Sequence, residues 1–209
     1  MTPGRSDKPV IGLVGGVGSG KSTAADMLVE LGCAKVDGDR IGHDLLDNPA
    51  VAEQIRRRFG GEVFQKTGAV DRKALARRVF DDPAALERLN AIMRPRIRAE
   101  IERQVAAAQA DPDVAAIVLD AAILLEAGWD DIATRLVFVR SADDQRLDRV
   151  KRGRNWDEAQ WQGREKSQFA IDRKAASCSD VLDNSSSVSC LHEHVRELFQ
   201  RIVHPADPA

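Results

Sequence analysis

The sequence predicts an α/β fold, a parallel sheet with helices on both faces. Three observations predict it. Short apolar runs alternate with helical segments, and no two runs are joined by a hairpin turn. A glycine-rich loop links the first run directly to the first helical segment. A long, strongly charged helical stretch separates the second run from the third, as an insertion covering a substrate site would.

Val10-Ile11-Gly12-Leu13-Val14, after Pro9, is short, apolar and β-branched, the pattern of a buried strand. From Lys21 to Leu31 the residues Ala24, Met27, Leu28 and Leu31 share one helical face, and Gly32 ends that helix. Ala34–Val36 is a second strand, opening onto Asp37-Gly38-Asp39. Helical patterning begins again at Ile41 and runs to about Gln109, with Pro49, Asp71, Pro83 and Pro95 as start or break signals. Strand character returns at 115–119 and at 136–139. Lys- and Arg-rich helical sequence fills 143–177. A last strand, Val181-Leu182-Asp183, precedes an amphipathic helix with Leu191, Val195, Leu198 and Ile202 on one face.

With 209 residues the chain can build one substantial core. Its net charge of −2 gives no global field for nucleic acid or an anionic membrane, so neither is expected as a partner. Cys33, Cys178 and Cys190 lack metal-binding spacing and form no even set, which suits reduced thiols. The stretch Met1–Lys8 is polar and unlike a signal peptide, and the apolar runs 114–119 and 121–125 fall far short of a membrane span. The expected address is cytoplasmic.

Gly15-Gly16-Val17-Gly18-Ser19-Gly20-Lys21-Ser22 matches G-x-x-x-x-G-K-[ST]. Glycines let backbone N–H groups converge on phosphate oxygens without a Cβ in the way, and the following helix aims its N-terminal partial charge at the same anion. Lys21 is then placed for the β- and γ-phosphates and Ser22 for Mg²⁺. The fold class therefore sharpens to a P-loop NTPase-type sheet with a helical substrate-binding insertion and an Arg-rich lid, using ATP and Mg²⁺. No N-K-x-D guanine reader is present, and the D-x-x-G at Asp39–Gly42 follows the first helix too closely to leave a switch region.

Asp37 and Asp39 follow the second strand at the carboxyl end of the sheet, where doubly wound folds bind ligands. A carboxylate there can take a proton from an attacking hydroxyl or hold magnesium's waters; an N-cap for the following helix is the plain alternative. Asp120, ending the third strand, is a candidate second-shell magnesium ligand. Arg146, Arg149, Arg152 and Arg154 lie with Lys151 in one basic segment, suited to the charge that phosphoryl transfer spreads over the γ-phosphate. His43, His192, His194 and His204 have no metal-ligand spacing.

Gly15–Thr23, Asp37-Gly38-Asp39, Phe59-Gly60, Asp71-Arg72, Val79-Phe80, Leu89-Asn90 and Leu124-Leu125-x-Ala-Gly together resemble the dephospho-CoA (dephospho-coenzyme A) kinase family. So do Arg164, Gln168 and Ser179-Asp180-Val181-Leu182-Asp183-Asn184. The matches run in family order from about residue 10 to residue 184. Arg94 stands where the family has His before Pro, and Ala122 where it has Pro; the stretch from Asp120 to Trp129 looks closer to the kinase half of the animal bifunctional coenzyme A synthase.

The resemblance implies transfer of phosphate from ATP to the ribose 3′-hydroxyl of dephospho-CoA, the last step of coenzyme A biosynthesis. It implies Asp39 as base, with Lys21 and Arg149 acting on the transferred group. Gly16, Val17, Gly18, Ser19, Gly20, Lys21, Ser22 and Thr23 are the implied ATP contacts. The lid carries one extra residue between Arg149 and Asp157, so Arg152 and Arg154 both remain candidates for the second lid arginine, with Arg152 placed among the ATP contacts. The implied organisation is one domain over 8–205: a core of 8–40, 113–142 and 178–205, a substrate-binding region 41–110, and a lid 143–177. ATP and dephospho-CoA are the expected partners of a monomer or weak oligomer. Two rivals remain, another small-molecule P-loop kinase and a nucleotide-dependent switch.

Overall fold

The computed structural model describes residues 7–80 and 82–204. Met1–Ser6, most of the polar stretch discussed above, and Pro205, the expected end of the domain, lie outside the described residues. The chain divides into two compact units, residues up to 37 with those from 104 onward, and residues 38–103.

The first unit is built on five parallel strands: β1 (Val10–Val14), β2 (Cys33–Asp37), β3 (Ala116–Asp120), β4 (Arg135–Arg140) and β5 (Asp180–Asp183), in the order β2-β3-β1-β4-β5. Every residue of β1 and β3 is buried, which is why these segments show continuous apolar sequence rather than alternation. β1 sits between β3 and β4, so the order reverses around it and its carboxyl end is a topological switch point.

Helix α1 (Lys21–Glu30) leaves that end and packs with the C-terminal helix, α9 (Val188–Val203), on the sheet. Ala24, Met27 and Leu28 of α1 meet Leu191, Leu198 and Phe199 of α9 in one core cluster. Burying each such large side chain is worth about 1.5–3 kcal/mol, so this face contributes much of the unit's stability. Helix α1 stops where Gly32 takes φ +95°, as the sequence predicts. Ser187 caps α9 by accepting from Cys190 N at 3.2 Å.

The basic segment folds as three helices, α6 (Asp143–Arg154), α7 (Glu158–Lys166) and α8 (Ile171–Ala176). Asn155, at φ +52°, ends α6, and a reciprocal Asp157/Gln160 capping box starts α7.

The second unit contains α2 (Gly38–Leu45), α3 (Pro49–Phe59), α4 (Arg72–Phe80) and most of α5 (Pro83–Ala110). Three of the four punctuation signals act as starts. Pro49 opens α3 behind the Asn48 cap. Asp71 accepts from Lys73 N and Ala74 N ahead of α4, and Asp82 accepts from Ala85 N ahead of α5. Pro95 does not break the chain as expected: it lies inside the 28-residue α5. Ile92, Met93, Ile97 and Ile101, on both sides of it, are buried, and this packing outweighs the lost hydrogen bond. The carbonyl deprived of its donor is that of Ala91, an exposed residue that water can reach, and Arg96 Nη1 donates to the neighbouring Ile92 carbonyl at 2.5 Å.

Candidate active site

The loop from Gly15 to Gly20 leaves β1 at the switch point and enters α1 without a side-chain cap. The first N–H groups of α1 therefore remain directed at whatever the loop encloses. Gly18 and Gly20 adopt φ +82° and +94°, and a Cβ on Gly20 would lie 2.2 Å from Asn184 Nδ2. Lys21 Nζ donates to the carbonyls of Gly15 and Gly16, both at 3.0 Å, so its ammonium spans the loop. Ser19 is buried and its hydroxyl has no partner among the described residues. Ser22 and Thr23 are exposed at the opening turn of α1.

Asp120 ends β3 with 7% exposure, opposite Asp37 in the β2–β3 register. Burial raises its pKa above the ordinary value, and the charge of Asp37 adds to the rise. The Ser22 hydroxyl, which hydrogen-bonds the carboxylate, and the charges of Lys21 and Lys35 act the other way. Lys35, on β2, is only 24% exposed; its partial burial works against the charged form, yet the hydrogen bond to Asp26 (2.7 Å) and the charges of Asp120, Asp26 and Asp37 hold its pKa above the usual value. Ser22, Asp120 and Asp37 offer only hard oxygen donors, the set a magnesium ion that keeps several waters takes. Among the described residues no group of three or more His, Cys, Asp or Glu could hold a metal by itself. The hydrogen-bonded Ser22 and Asp120 thus fit a hydrated magnesium ion, which they would hold together with a bound ligand.

Arg149, on α6, turns toward the rear of the loop. It donates to Ser19 O at 3.3 Å, to Ser141 Oγ at 2.9 Å and to Asn184 O at 2.9 Å. Arg152 pairs with Asp148 on its own helix and is 84% exposed, while Arg154 stacks over Trp156 at 5.1 Å. Arg146 is 3% exposed and binds Asp143 and Glu165, each at 2.8 Å. Glu165 also accepts from Val17 N at 2.5 Å, and Trp161 Nε1 donates to Val17 O at 3.1 Å.

A second buried pair joins α8 to the segment after β3. Lys174 of α8, 2% exposed, meets Glu126 at 3.0 Å and donates to Gln168 at 2.6 Å. Glu126 Oε1 also accepts from Phe169 N, so one carboxylate joins the segment after β3 to the α7–α8 connection.

Asp39 is exposed in the first turn of α2, in the second unit, whereas Asp37 is half-buried at the end of β2. A helix beginning at Gly38, three residues earlier than the pattern suggests, separates the two aspartates. They are therefore not on one extended segment: Asp37 closes the strand and Asp39 belongs to the helix.

Sequence reasoning did not single out Lys35, Trp161, Glu165 or Lys174. An indole at position 161 within an otherwise polar helix was the one available sign.

The family described as "Dephospho-CoA kinase" matches residues 9–189. A dephospho-CoA kinase of Syntrophotalea carbinolica is 37% identical over 196 residues, covering 93% of this chain and 92% of its own. One of Aromatoleum aromaticum is 38% identical over 194 residues, covering 92% and 93%. The crystal structure of a Thermus thermophilus protein superposes with a TM-score of 0.80 at 27% identity, covering 94% of this chain and 99% of that one. The glycine loop, the β3 carboxylate and the Asp183-Asn184 pair at the exit of β5 thus stand in a chain matched along nearly its whole length, and the chain belongs to the dephospho-CoA kinase family.

Proposed function

We propose that this chain transfers the γ-phosphoryl group of ATP·Mg²⁺ to the ribose 3′-hydroxyl of dephospho-CoA, giving coenzyme A and ADP. The observation that carries this reading is the uncapped start of α1, bridged by Lys21 and flanked by the Ser22–Asp120 pair. That arrangement suits a magnesium-bound polyphosphate, and membership of the family supplies the acceptor.

The backbone from Gly16 to Thr23 binds the phosphates. Lys21 neutralises charge on the transferring group, and Ser22 would hold a magnesium ion, which would supply further positive charge to the phosphates. Asp120 would orient that ion's waters, and Asp39 receives the hydroxyl proton. Arg149 answers charge developing during transfer, from a position already fixed against Ser19 and Asn184. Arg152 reaches ATP from the exposed end of α6; Arg154 is the alternative.

Residues 8–205 act as one kinase domain, in which 41–110 take the acceptor and 143–177 form the lid. The working species is a cytoplasmic monomer or weak oligomer with no nucleic-acid or membrane partner. No helix among the described residues is long and apolar enough to cross a membrane.

Incubation with ATP·Mg²⁺ and dephospho-CoA, AMP, or no acceptor tests this reading. ADP formation that depends on dephospho-CoA supports it. Turnover with AMP alone would favour another small-molecule kinase, and no turnover with any acceptor would favour a nucleotide-dependent switch.

A further inference from the structure

The loop residue Val17 has both of its backbone polar groups held by lid side chains. Its N–H goes to Glu165 Oε1 at 2.5 Å. Its carbonyl accepts from Trp161 Nε1 at 3.1 Å and from Arg146 Nη1 at 3.4 Å. These side chains also hold one another: Arg146 Nη1 lies 2.8 Å from the same Glu165 oxygen, and its guanidinium stands 5.1 Å from the Trp161 ring centre. The Val17 side chain joins Trp161 and Val150 in an apolar cluster separate from the main core, with Leu147 and Trp156 packed around it. Gly16 completes the fit, because a Cβ there would lie 2.0 Å from Arg146 Nη1.

Such an arrangement is costly unless complete. Arg146 is 3% exposed, and a buried guanidinium without its carboxylates is strongly unfavourable. Both carboxylates are present, and Glu165, one of them, also holds the Val17 amide. A Gly-rich loop is entropically expensive to order, and fixing one residue in its middle at both ends of its peptide removes much of that freedom before any ligand arrives.

We infer that Glu165, Arg146 and Trp161 are positioning residues of the phosphate loop, which hold it in the shape that receives the ATP phosphates. This rests on the reading of that loop as the ATP site. It makes the first turn of α6 and the middle and end of α7 standing parts of the nucleotide site, fastened to the loop through Val17. Because the ordering they supply is needed equally for bound ATP and for the transition state, its loss falls on ATP affinity rather than on the chemical step.

Two near-isosteric variants and one truncation test this: Trp161→Phe, which keeps the ring and loses the donor, Glu165→Gln, which keeps the shape and loses the charge, and Glu165→Ala. Each isosteric variant is expected to raise the KM for ATP about 3–10-fold, through one lost hydrogen bond in Trp161→Phe and the weakening of charge-assisted bonds in Glu165→Gln, with kcat and the KM for dephospho-CoA within about twofold of wild type. Amide hydrogen exchange without nucleotide gives an independent reading: Val17 N–H should exchange roughly tenfold or more faster in Glu165→Ala than in wild type. An unchanged KM for ATP with unchanged Val17 exchange would overturn the inference. A lowered KM in Glu165→Gln would also overturn it, since Glu165 would then be occupying a phosphate position. If the wild-type chain transfers no phosphate at all, the proposed function fails, while Val17 exchange still decides whether the clamp holds the loop.

Discussion

The side-chain amide of Asn184 donates to the carbonyl of Ser19 at 2.7 Å, across 165 residues of sequence. This bond ties the exit of β5 to the phosphate loop, and Arg149 binds both residues at once. Asn184 is 7% exposed, and the missing Cβ of Gly20 is what leaves room for its Nδ2. The closing Asp-Asn of the sequence motif therefore acts on the loop at the other end of the chain.

Asn184→Ala leaves the Ser19 carbonyl without this donor and removes one acceptor of Arg149. We expect a loss of about 1–3 kcal/mol in stability, measured by chemical denaturation, and a weaker affinity for ATP. An unchanged denaturation midpoint and unchanged nucleotide affinity would show that the bond carries neither role.

The sheet was legible in the sequence because parallel strands buried on both faces are unbroken apolar runs; 10–14, 115–119 and 136–139 could be little else. The phosphate loop was legible because its chemistry restricts residue types at fixed spacing. The clamp on Val17 was not. Arg146 reads as one of four arginines suited to phosphate charge and Glu165 as an ordinary surface charge, and only the packing of α6 and α7 shows that the first is fully buried against the second, itself largely buried. Lys174 is the same case, a lysine whose burial no local pattern announces. Pro95 misled for the opposite reason, since a strong local signal yielded to tertiary packing.

Asp120→Asn should separate stability from activity. Burial raises the Asp120 pKa, so the ionised form is disfavoured in the folded state. Below the ordinary Asp pKa of about 3.9 the carboxyl is protonated folded or unfolded and the penalty vanishes. As pH rises through the folded-state pKa, the unfolded chain releases its proton more readily and stability is lost. We therefore expect Asp120→Asn to raise Tm at pH 7 without nucleotide, by a margin that shrinks in acid. Magnesium-dependent activity should fall about 10–100-fold, the usual cost of losing a group that orients a metal's ligands. A Tm lowered at pH 7 would contradict the electrostatic account.

The Glu126–Lys174 pair predicts strong non-additivity. Lys174→Met alone leaves Glu126, 10% exposed, as a buried unpaired charge, and should cost about 3–5 kcal/mol. Adding Glu126→Leu should recover most of that loss, because a packed apolar pair can replace a buried ion pair. Equal, additive losses in a double-mutant cycle would show that the two side chains are not coupled.

The two aspartates after β2 make separable predictions. Asp39→Asn, which keeps shape and removes the proposed proton acceptor, should lower kcat about 10²–10⁴-fold with ATP affinity near wild type. Because proton transfer is late in a loose transition state, the lower part of that range is expected. Asp37→Asn, altered beside Asp120, should act chiefly on the magnesium requirement. A larger kcat loss in Asp37→Asn than in Asp39→Asn would reverse the assignment.

Phosphorylation of one particular hydroxyl is read out by ³¹P NMR of the reaction mixture. With ATP·Mg²⁺ and dephospho-CoA, a new phosphomonoester signal at the ribose 3′ position should grow in step with the signals of ADP. Lys21→Ala should slow its growth about 10²–10³-fold, the cost of one lost contact to the transferring group. ADP and inorganic phosphate appearing without a 3′-phosphomonoester, or a phosphomonoester forming equally fast in Lys21→Ala, would contradict the account.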